Sequence, residues 1–378
     1  MATQQYFDRA TAPGDDGPRV AYDKLRLFYL VYVCDHHFSI AYGRSPLTRE
    51  SELIRSAKDL LSAPEASEDD ARLVSQVEVW SIATQGLELL GLDVDLRLPT
   101  ALLPRIRRLM IALDTWRADW NEGFGRSLHV GNYPKKGVKL HFHFARLYLC
   151  SHAFRGVDPA AAKSPSQTGL AAASPQGSTH AHPSTSPPIL VDSAPSPGQL
   201  SGDVEEIAAA AVDSAQSILR IITTDVEIQA HLNGLPLYFD TMIAFAIVFL
   251  YKVATKYSHV VRIDTAGTLN LVRDMARTLG STTAGMHPQH LLVAISHAVD
   301  KISSQDQLLH NPGDRDRVDT LPTVDPTVDP TGPAYSALPG CEVPDLDPGW
   351  TPTDFDWTNY DFQSMGDSFT LPDFGLGF

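Results

Sequence analysis

The chain has 378 residues, of which 43% are hydrophobic, so it can bury one or two sizeable cores and disorder throughout is excluded. Its 30 Lys and Arg and 45 Asp and Glu give a formal net charge of -15. Residues 318–378 hold eleven acids and no Lys or Arg, which leaves only -4 for the preceding 317 residues. Phosphate contact needs clustered positive charge, so this composition argues against direct nucleic-acid binding. Such a concentrated acidic tail is typical of an interaction segment.

The cysteines and the apolar runs limit the compartment and exclude several classes of protein. Cys34, Cys150 and Cys341 lie more than a hundred residues apart, which favours neither a disulfide framework nor a cysteine-based zinc module. We therefore expect a reducing compartment and no cofactor held by this chain. The N-terminus lacks the pattern of a signal peptide. The longest apolar run, 242–251, is shorter than the roughly 20 residues that span a bilayer, so no membrane segment is predicted.

The first predicted helix covers residues 25–38 and is apolar on two opposite sides. At 100° per residue one side holds Leu25, Phe28, Tyr29 and Tyr32, and the other holds Leu27, Leu30, Val31, Cys34 and Phe38. A helix that is apolar all round is typically buried, so this helix is predicted to lie sandwiched between others. Gly43 and Pro46 follow it as stop signals.

Three more helices are predicted before residue 155. Ser67 followed by Glu68, Asp69 and Asp70 resembles a capping box, and the helix that it opens should end at Gly91. Apolar residues at intervals of three and four predict the next two helices over about 102–120 and 136–154. Trp116 and Trp120 lie on the apolar stripe of the first of these two.

Residues 156–202 differ sharply from the helical sequence around them. They are rich in Pro, Ser, Ala and Gly, with eight prolines, and cannot bury enough apolar area to offset the entropy of ordering. Helical periodicity resumes at Val204, with breaks at 234–236, near Val261 and at Gly285, and with Pro288 at a helix start. The prediction is an all-α helical array with a long disordered internal linker and a disordered acidic C-terminal tail. Its parts are a disordered N-terminus (1–18), two halves of one helical domain (19–155 and 203–304), the linker (156–202) and the tail (305–378).

No arrangement of residues in the sequence assembles a catalytic or metal site. His141 and His143 point about 160° apart on a helix and cannot share an ion, and His36 and His37 also diverge. His287 and His290 could face one another, but no third ligand lies near in sequence. The phosphate-loop, nucleophile-elbow and zinc-protease motifs are all absent, so the sequence predicts a protein that is not an enzyme.

The tail has the pattern of an acidic activation segment. Repulsion among its acids keeps the chain expanded, so its aromatic side chains stay available to the apolar groove of a partner. They share no single helical face, which favours several weak binding poses. Two alternatives stay open: the segment docks on its own helical domain, or it has no role. The predicted partner-binding residues are Trp350, Phe355, Trp357, Tyr360, Phe362, Phe369 and Phe374.

The stretch 27–46 resembles the signature helix of the fungal-specific transcription factor domain, the middle homology region of zinc binuclear cluster regulators. That helix is rich in aromatic residues, carries an aspartate that matches Asp35, and ends in Gly-Arg-Pro, matched here by Gly43 and Arg44 with Ser45 before Pro46. Further similarity lies in 68–74, 113–120 and 141–148. Asp35, Gly43, Arg44, Pro46, Trp116 and Trp120 are therefore predicted to be structural residues of this signature.

The resemblance implies a nuclear transcription regulator with an N-terminal six-cysteine zinc cluster, a dimerising coiled coil, a helical regulatory domain and a C-terminal activation region. This sequence has three cysteines and no basic arm, so zinc is expected only in a full-length parent protein. We expect either a truncated product or a chain that acts without touching DNA. Its partners would be transcriptional coactivators, with a possible homodimer or a heterodimer with an intact regulator. Two alternative functions stay open: a helical adaptor or dominant partner of such a regulator, and a helical metabolic enzyme without a recognisable motif.

Overall fold

The computed structural model describes residues 17–41, 44–91, 96–157 and 200–310, and these ranges are α-helical with no β-strand. The all-α prediction is confirmed for them. The predicted disordered segments lie almost wholly outside them, and the domain boundaries stay predictions. The helices are α1 (Gly17–Ala41), α2 (Glu52–Arg55), α3 (Glu68–Leu90), α4 (Leu103–Gly123), α5 (Tyr133–Ser151), α6 (Gly202–Thr224), α7 (Val226–His231), α8 (Leu237–Lys256), α9 (Thr265–Thr283) and α10 (Leu291–His310).

Helix α3 begins and ends where the sequence predicts. Ser67 and Asp70 form the capping box, in which the Ser67 amide donates to the Asp70 carboxylate over 2.8 Å. The helix ends at Gly91, whose φ of 67° lies in the left-handed region that glycine adopts without strain. The other carboxylate oxygen of Asp70 lies 2.6 Å from Nε of Arg26, so the buried charge at this helix start is paired with α1.

Helices from before and after residues 158–199 share one hydrophobic core. Helix α5 packs on α3, α4 and α6, and α6 also packs on α8 and α9. Helix α1 packs mainly on α3 and also contacts α8. The largest fully buried side chains include Trp80, Tyr29, Tyr32, Phe142, Phe144, Phe239 and Phe249.

The prediction that α1 is sandwiched between helices is wrong for the described residues. Its inner side is buried, with Leu25, Tyr29 and Tyr32 at most 1% exposed. On its outer side Leu27 is 62% exposed, and Leu30 and Val31 are each about half exposed. The reason is that α3 and α8 both pack on the inner side, while Leu27, Leu30 and Val31 stay exposed among the described residues.

The second block differs from the sequence prediction at three places. An additional break occurs at Asp225, which ends α6 and whose carboxylate accepts the amides of Glu227 and Ile228 to begin α7. Pro288 does not start a helix as predicted. It lies in a turn, and α10 begins at Leu291. The Leu292 amide in the first turn of α10 donates to the His290 ring, which caps the helix. Helix α10 continues to His310, past the predicted boundary at residue 304.

Helix α8 extends the predicted apolar run at both ends. The stretch Tyr238–Lys256 is long and apolar enough to cross a membrane by length and composition alone, so the prediction of no membrane segment stays a prediction. However, 67% of its best window is buried inside the protein. That burial is the pattern of a core helix, which passes the same test of length and composition.

Candidate functional site

The signature stretch fastens α1 to the segment that follows it. The Asp35 carboxylate accepts hydrogen bonds from the backbone amide and the hydroxyl of Thr48, each over 2.6 Å. Beside it, Nε2 of His36 donates to the Thr48 carbonyl over 3.0 Å, while Nδ1 accepts from the Thr84 hydroxyl over 2.6 Å. The loop after α1 is thereby joined to both α1 and α3.

Two tyrosines of α1 extend this set of contacts. The Tyr29 hydroxyl donates to the Leu53 carbonyl over 2.9 Å, and the Tyr32 hydroxyl donates to the Glu50 carboxylate over 3.1 Å. Ser81 of α3 donates to the same carboxylate oxygen over 3.1 Å. The inner side of α1 therefore combines buried rings with hydrogen bonds to the segment 48–53, which leads into α2.

The environment of Asp35 keeps it ionised. Burial by itself would raise the pKa of this carboxyl, but the hydrogen bonds from Thr48 and from the backbone of Leu47 together lower the pKa below its usual value. Arg44 is exposed and its amide donates to the Ser39 carbonyl over 2.8 Å, and Pro46 is half-buried. Gly43 lies outside the described residues. The structural roles predicted for these residues stay predictions.

Helices α1, α3, α5 and α8 meet at a centre made of aromatic rings and neutral histidines. The ring of His37 lies 4.3 Å from that of Trp80 and 4.0 Å from that of Tyr238, centroid to centroid. His141 approaches Trp80 edge-on at 5.9 Å, and its Nδ1 donates to the Gly137 carbonyl over 2.8 Å. We name His37, Trp80, His141, Phe144 and Tyr238 the aromatic centre.

Burial keeps the histidines of this region uncharged. It lowers the pKa of His141 to about 4, that of the nearby His143 to about 4, and that of His152 to about 3. The pKa of His37 is also well below its usual value, chiefly through burial. Both ring nitrogens of His37 lack a hydrogen-bond partner among the described residues. The centre is thus a packing element. That Trp80 and Tyr238 enclose His37 could not be predicted from the sequence, because the three residues lie on different helices.

Trp116 and Trp120 attach α4 to α3. The Trp116 indole donates to the Ser75 carbonyl over 2.9 Å, and the Trp120 indole donates to the Glu78 carboxylate over 2.7 Å. Lys58 lies 3.2 Å from the other carboxylate oxygen of Glu78. Both indole rings are buried with their one donor satisfied, which is the usual arrangement for a buried tryptophan.

Charged pairs connect the helices that precede and follow residues 158–199. Nζ of Lys136 lies 2.6 Å from the Asp225 carboxylate and 2.5 Å from that of Glu227. The other Glu227 oxygen accepts the Asn132 amide over 3.0 Å. Asp225, which the sequence analysis missed, therefore both begins α7 and anchors α5. A signal was available, since Asp is among the preferred residues for a helix start.

No group of three His, Cys, Asp or Glu side chains that could hold a metal occurs within the described ranges. His287 and His290 lie beside one another in the turn before α10, where the His290 amide donates to the His287 carbonyl over 2.9 Å. The seven predicted partner-binding aromatics, from Trp350 to Phe374, all lie outside the described residues. Their role stays a prediction.

Comparison with known proteins gives one informative match. The chain is similar to the transcriptional activator of proteases prtT of Emericella nidulans, with 30% identity over 295 residues. The match covers 75% of this chain and 39% of that relative, so the chain spans about two fifths of the relative's length. This supports the resemblance to fungal transcription factors seen in the sequence. No family model matches the chain, and the particular domain therefore stays a prediction. No solved structure matches.

Proposed function

We propose that this chain is the regulatory and activating part of a fungal transcription factor, that it acts in the nucleus, and that it is not an enzyme. The observation that carries the proposal is the 30% identity to a transcriptional activator over 75% of the chain. The acidic aromatic tail supports the activating role, since eleven acids without a Lys or Arg follow residue 317. The helical array supplies the regulatory part, and its partners would be transcriptional coactivators.

A reporter fusion of the tail tests the activating role directly. Residues 340–378 are fused to an unrelated DNA-binding module, and reporter transcription is measured in a fungal cell. We expect activation, because the acids keep the aromatic rings solvated and free to enter an apolar groove. Replacing Phe355, Trp357, Tyr360 and Phe362 together by Ala should abolish most of it, whereas each single change should cost little.

A matched control separates the aromatic rings from the length and charge of the tail. Thr351, Thr358, Gln363 and Ser364 lie in the same window, and their joint replacement by Ala should leave reporter activity unchanged. Exchange of the tail acids for Lys should weaken activation by reversing the expected charge complementarity. An inert wild-type fusion, or activity that survives the fourfold aromatic change, would contradict the proposed activating role.

We expect the purified chain not to bind duplex DNA. With a net charge of -15 and three cysteines, it has neither the excess of positive charge nor the six-cysteine zinc cluster that such binding uses in the family it resembles. A gel-shift titration at low salt checks this expectation, with a generic acidic protein as the reference. Salt-sensitive binding at submicromolar protein would contradict it.

A further inference from the structure

Ser45 is an exposed serine in the segment that joins α1 to α2. Residues 44–51 form neither helix nor strand, so the backbone around Ser45 is not held in a regular element. Pro46 follows directly, and a residue before proline is restricted to extended conformations. An exposed hydroxyl on an extended, irregular segment can enter the cleft of a modifying enzyme without any helix being unwound.

The position of this serine is particular to the chain. In the signature that the stretch resembles, proline comes directly after arginine, whereas here Ser45 stands between Arg44 and Pro46. The sequence holds five Ser-Pro pairs and one Thr-Pro pair, and within the described ranges Ser45-Pro46 is the one such pair. The others begin at Ser164, Ser174, Ser186, Ser196 and Thr351.

We propose that Ser45 is phosphorylated by a proline-directed serine/threonine kinase, and that the phosphate loosens the segment 44–53 from α1. The co-substrate is ATP. The Ser45 hydroxyl oxygen forms a bond to the γ-phosphorus as the bond from that phosphorus to the bridging oxygen of ADP breaks, and the hydroxyl proton passes to a carboxylate of the kinase. Proline has no backbone N–H, so it suits a cleft that offers no acceptor at the next position.

The end of α1 is an unfavourable place for a phosphate. The Arg44 amide donates to the Ser39 carbonyl over 2.8 Å, which places Ser45 beside the last turn of α1. The last carbonyls of a helix carry a partial negative charge. A phosphoserine adds a charge of about -1.5 to -2 at pH 7, and at a helix C-terminus this charge is destabilising.

The phosphate also lies near the contact that fastens the segment to α1. Thr48, whose amide and hydroxyl bind the Asp35 carboxylate, is three residues after Ser45, so their Cα atoms are at most about 11 Å apart. Asp35 is ionised and repels the added charge. The exposed Arg44 offsets part of this repulsion, but it follows the same helix end. We therefore expect weaker attachment of the segment, with the rest of the fold unchanged.

A kinase assay on the full chain tests the modification. Ser164, Ser174, Ser186, Ser196 and Thr351 are all replaced by Ala, so that Ser45 is the remaining site of this type. Incubation with ATP and a purified proline-directed kinase should then add one phosphate, which peptide mass spectrometry should place on Ser45.

Two variants and a peptide serve as controls for this assay. Ser45→Ala should take up no phosphate, and Pro46→Ala should take up at least tenfold less although it keeps the hydroxyl. A synthetic peptide of residues 40–51 shows whether the kinase accepts the local sequence. A folded chain that stays unmodified at Ser45 would overturn the proposal, whether or not the peptide is phosphorylated.

Hydrogen exchange tests the consequence of the phosphate. Amides of residues 44–53, including that of Thr48, should exchange about two- to fivefold faster in the phosphorylated chain, which is the ratio that an unfavourable charge at a helix end produces. Amides of α4 should not change, and Ser45→Ala treated in the same way should match the untreated chain. Unchanged or slower exchange at 44–53 would overturn the loosening. These measurements use purified protein, so their outcome is independent of whether the tail activates transcription.

Discussion

The two sides of helix α1 are almost equally apolar and lie in opposite environments. The inner side places Tyr29 and Tyr32 in the core, whereas the outer side leaves Leu27, Leu30 and Val31 in contact with solvent. The inner side differs because it carries tyrosine rings that end in a hydroxyl. The hydroxyls of Tyr29 and Tyr32 donate hydrogen bonds to Leu53 and Glu50. Apolar character alone therefore did not distinguish the core side.

The largest expected decrease in stability follows from removal of a ring on the inner side of α1. Tyr29→Ala should lower the free energy of unfolding by about 3–5 kcal/mol, because a fully buried ring and a hydrogen bond are both removed. Leu27→Ala, two residues away on the outer side, should change it by less than about 0.5 kcal/mol. Urea unfolding in dilute solution measures both. Equal losses would show that the outer side is also covered.

Acid should destabilise the fold through the buried histidines on α5 and at its end. Between pH 6.5 and about 4 the unfolded chain binds protons at His141, His143 and His152, while burial keeps these neutral in the fold. The unfolding free energy should therefore fall with falling pH, by about 1.4 kcal/mol per pH unit for each histidine. Asp240 alone has the opposite effect on the unfolding free energy. Burial raises its pKa to about 7, so its contribution to stability is present at low pH and is lost as the pH rises.

A variant at His37 sharpens this prediction. His37→Phe keeps a ring between Trp80 and Tyr238 and removes two nitrogens that lack partners among the described residues. Its unfolding free energy should match or exceed that of the wild type at pH 7.5, and the advantage should grow towards pH 5. Urea titrations at several pH values measure this. An advantage that shrinks on acidification would mean that the His37 ring is protonated and paired in the fold.

A smaller loss of unfolding free energy is expected from a change at Asp35, which lies between the two sides of α1. Asp35→Ala removes the acceptor of two Thr48 hydrogen bonds and should lower the unfolding free energy by about 1–3 kcal/mol. Asp23→Ala, on the exposed part of the same helix, is the control and should leave the melting temperature nearly unchanged. An unchanged melting temperature for Asp35→Ala would remove its predicted structural role.

The smallest effect should come from the outer side itself. Leu30→Gln should change the unfolding free energy by less than about 0.5 kcal/mol in dilute solution, because nearly half of this side chain is already in water. Differential scanning calorimetry at low concentration measures it. A loss above about 1 kcal/mol would show that the outer side of α1 packs against part of the same chain.

Much of the helical array followed from the sequence because its signals are local. The capping residues Ser67 and Asp70, the glycine at position 91 and the three-and-four spacing of apolar residues act within one or two turns of the chain. The additional break at Asp225 was missed because uninterrupted apolar periodicity on both sides hid a preferred helix-start residue.

Only the tertiary structure decided which side of α1 is the core, and which residues meet at the aromatic centre. His37, Trp80 and Tyr238 come from three helices, and their contact depends on how α1, α3 and α8 pack. Periodicity assigns a residue to a side of its own helix, but the neighbour that covers that side is set by packing between segments distant in sequence. By contrast, the charge and aromatic content of residues 318–378 come from the sequence alone, since composition requires no packing partner to be recognised.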